Sequence, residues 1–214
     1  MAIGNAPQPG MAQCSVTGKF VPEDELVTIQ GQRVCAEGKA ILLERLKSGE
    51  TMPGELEKPT VIRRFGSIFL DGLLIGVPSA IASGVLAAGT PEDQLPVTLG
   101  IVTLVSTAVA VLYFGAMHAS RGQTVGKMAG KIVVVNNSDG SKISAGTAYI
   151  RALAYSGPSF ITGLAYFTNN DSALLIANGF VSIYGIANIL FALFDRSRQR
   201  SLHDRIAGTR VVNK

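Results

Sequence analysis

Cysteine and charge are what this sequence has least of. Two cysteines in 214 residues are too few for a disulfide framework, and soluble parts lying in the cytoplasm would keep both reduced. Two thiolates also fall short of the four ligands that a structural zinc requires, so no metal and no other cofactor is expected. Charged residues make up 16% of the chain and the mean hydropathy is +0.33. That balance is apolar for a soluble domain yet leaves room for a polar segment. The net charge is +4 and the pI near 9.2, but the basic residues are confined to separate loops and form no continuous patch, which argues against nucleic acid as a partner. No serine-nucleophile motif, phosphate loop or metal-binding pair occurs, so no catalytic residue is assigned and the chain is not read as an enzyme. Met1 to Gly10 has neither the basic start nor the apolar run of a cleavable signal peptide, and membrane insertion is expected to rest on later segments.

What the sequence does have is length without charge. A helix of about 20 apolar residues spans the hydrocarbon core, and four stretches meet that requirement with at most one charge each, at about 65–89, which holds Asp71, 97–118, 150–169, which carries Arg151 at its start, and 172–194. A soluble helical bundle would alternate apolar and charged faces; these stretches do not. The fold class expected is therefore an all-α membrane protein, a four-transmembrane-helix bundle made of two helical hairpins.

The loops set the orientation. Lys58, Arg63 and Arg64 precede the first span, Arg121, Lys127, Lys131, Lys142 and Arg151 lie between the second and third, and Arg196 to Lys214 carries the last basic cluster. The loops around Glu92-Asp93 and Asn169-Asn170-Asp171 have no Lys or Arg. Positive residues near span ends stay in the cytoplasm, which predicts a multi-pass membrane protein with both termini inside.

Ahead of the membrane domain, 61–214, the sequence predicts a disordered start at 1–12, a small cytoplasmic α+β module at 13–49 and a linker at 50–60 marked by Pro53-Gly54. In the module, Leu26–Ile29 and Gln32–Val34 read as a hairpin, and Lys39–Lys47, with Ile41, Leu42, Leu43 and Leu46, reads as an amphipathic helix. Cys14-Ser-Val-Thr17 and Cys35-Ala-Glu-Gly38 look like two zinc knuckles, each lacking its second ligand. So small a module has little core, and a cytoplasmic protein partner is a plausible dock for it. Two segments after the second and fourth spans, Ala129-Gly130 running into Ile132 to Val135 and Ala207-Gly208 running into Val211-Val212, read as a parallel repeat whose short cytoplasmic strands pair beneath the membrane.

Asp71 is the residue most in need of explanation. It lies about two turns inside the first span, where a carboxylate must face protein, water or a counter-charge. Arg64 stands seven residues earlier, on the same helical face. Polar residues within reach on other spans are Ser106, Thr107, Asn178 and Asn188, with Arg151 at the cytoplasmic mouth. Gly66, Gly72 and Gly76 give the first span a small face suited to close helix packing, and Pro78 and Pro158 are expected to kink their spans. His203 beside Asp204 is weak evidence for catalysis, because adjacent helical residues point apart.

Arg64 with Asp71, Tyr113-Phe114-Gly115, Gly122-Gln123-Thr124-Val125-Gly126-Lys127, Ile150-Arg151-Ala152-Leu153 and Ser201-Leu202-His203-Asp204-Arg205-Ile206-Ala207-Gly208-Thr209 together resemble the RDD family of bacterial membrane proteins, over about Pro59 to the C terminus. The resemblance implies that the family's arginine and two aspartates fall on Arg64, with Arg63 adjacent, and on Asp71 and Asp204. It also implies the bacterial inner membrane as the location and transport of an undefined ligand, with sodium/proton antiport suggested for some members. The N-terminal module resembles the cysteine-rich modules fused to some such proteins and departs from them at Thr17 and Gly38. The function expected is a transporter or ion-coupled membrane protein with a site drawn from Arg64, Asp71, Asp204, Arg151 and Asn188. Four short spans leave little room for a pathway within one chain, so a homo-oligomer is expected. The competing reading is a non-transporting membrane adaptor.

Overall fold

A computed structural model describes residues 10–29, 32–48, 56–195 and 198–214. The chain divides into two compact units between Leu56 and Glu57. Most of the expected disordered start, 1–9, and most of the expected linker, 50–55, lie outside the described residues.

The first unit begins earlier than expected, because Met11 to Gln13 already forms a strand. β1 (Met11–Gln13) pairs antiparallel with β2 (Phe20–Pro22), β3 (Val27–Ile29) pairs antiparallel with β4 (Gln32–Val34), and α1 (Ala36–Ser48) follows. The hairpin and helix of the sequence reading are present, the helix with one more turn at its start. Cys14, Val34, Cys35 and Leu42 make the core, covered by Val16, Val21, Leu26 and Ile29. Each sulfur accepts a backbone N–H, Cys14 from Cys35 at 3.3 Å and Cys35 from Gly38 at 3.4 Å. Burial pushes the Cys14 thiol up, but the Cys35 N–H and the bonds from Thr17 outweigh it and bring it down to about 6. A side chain at Gly38 would place its Cβ 2.8 Å from Cys14 Sγ, so the position of the missing second ligand is filled by the other cysteine's sulfur.

Among the described residues of the second unit three helices are long and apolar enough to cross a membrane: α2 (Val61–Ala88), α3 (Leu95–Arg121) and α7 (Asp171–Phe194). Of their most apolar windows, only 6%, 17% and 11% is buried. So much outward-facing apolar surface suits lipid and not water. α2 runs unbroken through Pro78. The small face expected to receive a neighbour does not: a Cβ added at Gly66, Gly72 or Gly76 would meet nothing within 4 Å.

The third expected span is the one that differs. It forms two short helices, α5 (Ala145–Ser156) and α6 (Ser159–Ala165), separated at Gly157-Pro158 and followed by the 3-10 turn Tyr166–Thr168. The reason is local. Pro158 has no N–H for the carbonyl of Ala154 four residues back, and that carbonyl is taken up instead by the Tyr184 hydroxyl of α7 at 2.5 Å. Both halves pack on α3 through glycine: a Cβ at Gly115 would overlap the Tyr149 ring, and one at Gly163 would overlap Leu104.

The two Ala-Gly segments end as β5 (Ile132–Asn136) and β6 (Thr209–Asn213), paired antiparallel with Val134 opposite Val211. Their inward side chains Ile132, Val134 and Val211 form a core with Ile143 and Ala148. This ribbon fixes the ends of two further one-turn helices, α4 (Val125–Ala129) and α8 (Leu202–Ile206). Gly122 closes α3 in a left-handed conformation at φ 69, accessible to glycine at little cost, and its carbonyl accepts the Val134 N–H at 2.8 Å.

Candidate functional site

Five charged side chains on four helices are buried together: Arg64 and Asp71 on α2, Lys127 on α4, Arg151 on α5 and Asp204 on α8. They form two adjoining knots.

The first is centred on Asp204, which is 0% exposed. As the third residue of α8 it reaches back to accept the Ser201 N–H at 3.2 Å and the Ser201 hydroxyl at 2.6 Å, the carboxylate half of a capping box. Arg151 donates to its Oδ1 from Nε at 3.1 Å and from Nη2 at 2.8 Å, and the Thr209 hydroxyl adds 3.2 Å. Arg64 donates to Oδ2 and also binds the Gln199 carbonyl and the Ser201 hydroxyl. Burial alone would raise the Asp204 carboxyl, but the guanidinium groups of Arg151 and Arg64 and the Ser201 hydroxyl hold it well below the usual carboxylate range.

His203 joins this knot to α7. Its Nδ1 lies 2.7 Å from Asn188 Oδ1, which also accepts its backbone N–H at 3.2 Å, while its Nε2 lies 3.0 Å from Arg151 Nη2. Arg151 donates only and the Asn188 oxygen accepts only, so the proton belongs on Nδ1 and Nε2 accepts. Burial pushes the imidazole well below its ordinary range; Asp204 opposes this, and Arg151, Arg64 and Lys127 reinforce it. Arg151 Nη1 lies 3.3 Å from His118 Nε2 on α3, so this one guanidinium touches α3 and α8.

The second knot holds Asp71. Its Oδ1 accepts the Tyr113 hydroxyl at 2.9 Å and the Gly126 N–H at 2.8 Å, and its Oδ2 accepts the Thr124 hydroxyl at 2.5 Å. Lys127 Nζ stands 3.8 Å from Oδ2. Gly126 must be glycine for α4 to come this close: a Cβ there would lie 2.1 Å from the Ser67 carbonyl and 2.9 Å from Asp71 Cγ. Burial and the nearby Arg151 bring Lys127 down to about 7, against the pull of Asp71 and Asp204.

Of the residues singled out from sequence, the fold brings Arg64, Arg151, Asn188 and Asp204 into one network. It places Asp71 in the neighbouring knot, with Arg64 paired to Asp204 and not to Asp71. Asn178 lies exposed, bonded to the Leu174 carbonyl, and Thr107 bonds back to the Thr103 carbonyl. The expected site did not include Lys127, Thr124 or Tyr113, which stood only in the motifs of the resemblance and, for Lys127, among the basic loop residues, nor His203, which was weighed only for catalysis beside Asp204. The Ser201-x-x-Asp204 spacing was the available signal for α8.

A cavity of about 590 Å³ lies above the Asp204 knot, among α2, α3, α5, α6 and α7. Arg64, His203 and Asn188 line it, with Ser83, Ser106 and Tyr155 among a mostly apolar wall. A second cavity of about 20 Å³ lies between the knots, lined by Arg64, Asp71, Lys127, Arg151, Tyr155 and His203 among others. Among the described residues no three His, Cys, Asp or Glu side chains converge to hold a metal.

The family model described as the RDD family matches residues 58–208. The chain is 30% identical over 177 residues to the uncharacterized protein YxaI of Bacillus subtilis (strain 168), covering 74% of this chain and 100% of that relative. It is 28% identical over 149 residues to the uncharacterized protein YckC of the same organism, covering 70% of this chain and 80% of that one. No solved structure matches.

Proposed function

This chain belongs to the RDD family, and we propose that it is a multi-pass protein of the bacterial inner membrane that binds a small polar solute or ion in its intramembrane cavity and carries it across. In this reading α5 and α6 together make a fourth, broken passage, the termini are cytoplasmic and copies associate. The observation that carries it is the cavity of about 590 Å³: a concave, mostly apolar space into which a few polar groups converge is the usual form of a small-ligand site, and Arg64, Asn188 and His203 bring the charge network to its lining. Broken helices next to such a space are a recurrent arrangement at transport sites. Asp71, with three hydrogen bonds already accepted, serves here to seat α4 and Lys127.

The test is flux in liposomes reconstituted with the purified chain, under proton, sodium and small-solute gradients. Ser106→Phe, which fills the cavity without touching either knot, is expected to cut flux at least tenfold. Absence of flux under every gradient, or flux unaffected by filling the cavity, rejects transport. The saturation of Asp71 favours a second reading, a membrane adaptor whose buried charges only specify packing; it predicts no flux and a cellular phenotype on deleting the N-terminal unit.

A further inference from the structure

The buried charges of the two knots do not cancel. Arg64, Lys127 and Arg151 bring three cations, Asp71 and Asp204 two carboxylates, and none of the five is more than 6% exposed. A net charge held away from water is costly unless a counter-ion or the loss of a proton relieves it. The protein offers Lys127 little relief. Its ammonium lies 3.5 Å from Thr124 Oγ1 and 3.8 Å from Asp71 Oδ2, both long for hydrogen bonds. The two histidines supply no negative charge, and each already faces Arg151 with its Nε2.

Beside Lys127 is the small cavity of about 20 Å³, which Arg64 and Arg151 also line. It has room for one water-sized particle. Tyr155 lines both this cavity and the large one, its ring edge-on to His203 at 5.0 Å and to Phe114 at 5.2 Å.

We propose that the small cavity binds one small monatomic anion, of the size of chloride, between Lys127, Arg64 and Arg151, and that Tyr155 gates its exchange with the large cavity. The anion balances the third cation. The volume selects a halide over phosphate, sulfate or a carboxylate-bearing solute, none of which fits a space for one water. Occupancy is coupled to a proton on Lys127. The groups around that ammonium are Arg64 and Asp71 from α2, His118 from α3, Arg151 and Tyr155 from α5, and His203 and Asp204 from α8, with Tyr113 of α3 reaching it only through the Asp71 carboxylate. With Lys127 lowered to about 7, the excess charge that attracts the anion is present below neutrality and disappears above it. The site adjoins the proposed transport cavity but requires no flux to exist.

The experiment uses the full chain in detergent, in gluconate buffer at fixed ionic strength, titrated with chloride at pH 6 and pH 9. The readouts are the thermal midpoint and ³⁵Cl NMR line broadening with displacement by bromide. The expected result is a saturable rise of several degrees and bromide-displaceable broadening at pH 6, both much weaker at pH 9. Lys127→Met should abolish both effects, and Lys127→Arg, whose charge persists, should retain them at pH 9. If Lys127→Met fails to fold, the wild-type and Lys127→Arg titrations decide. Identical midpoints in chloride and gluconate at pH 6, without displaceable broadening, overturn the proposal. Halide binding without solute flux removes the transport reading and leaves this site; solute flux without halide binding does the reverse.

Discussion

Arg64 and Asp204 stand 140 positions apart and form a buried ion pair that joins the first turn of α2 to α8. Arg151 grips the other oxygen of the same carboxylate at 2.8 Å, so one aspartate ties α2, α5 and α8 together.

Breaking this arrangement from one side leaves an uncompensated charge in a dry site. Asp204→Asn is expected to destabilise the membrane unit by about 3–5 kcal/mol, since it strands two guanidinium groups. Arg64→Met should cost less, because Arg151 still neutralises Asp204. The double variant should lose clearly less than the sum of the two. Unfolding in mixed micelles measures all three, and strict additivity would show that the pair is not energetically coupled.

Gly126 is a second point of failure, for a steric reason. Gly126→Ala must move α4 off α2, because the added Cβ would lie 2.1 Å from the Ser67 carbonyl. The expected cost is about 1–3 kcal/mol. It should be accompanied by loss of the Gly126 N–H bond to Asp71, visible as faster amide exchange at residue 126. An alanine variant as stable as the parent would mean that α4 is free to shift.

Lys127 predicts a pH dependence of defined sign. Its folded value, about 7, lies below the ordinary 10.5, so the unfolded chain binds this proton more readily. The resulting destabilisation is complete below about 7 and is relieved as pH rises from there toward 10.5. The stability of the wild type relative to Lys127→Met should therefore rise with pH across that window. A difference that is flat with pH would place Lys127 in water or in a full ion pair.

Topology has its own check. Single cysteines at Gln94 and Asn170, both exposed, in a background of Cys14→Ser and Cys35→Ser, should react with an impermeant thiol reagent from outside the cell, while one at Ser138 should not. Labelling of Ser138 from outside would reverse the charge-based orientation.

Apolar length is a local property, and it was enough to mark α2, α3 and α7 within a few residues. Charge distribution among the loops is likewise read directly from order along the chain, and the recurrence of Ala-Gly before β-branched residues announced the two strands that pair as β5 and β6. The sequence also singled out Arg64, Asp71, Asn188, Arg151 and Asp204, because polar groups in apolar stretches stand out without any knowledge of neighbours. Their partnerships were a different matter. Spacing along α2 suggested Arg64 with Asp71, yet each found its partner elsewhere, Arg64 on α8 and Asp71 at the start of α4, since only the folded chain decides which distant donors come within 3 Å. The break of the third segment was decided at the same level: Pro158 frees a carbonyl in any context, but the helix stays broken where Tyr184 arrives from α7 to bind it. The charge imbalance, too, belongs to the tertiary structure. Lys127 is one of many loop cations in the sequence, and only packing against Asp71 and Arg151 takes it out of water and makes its charge count.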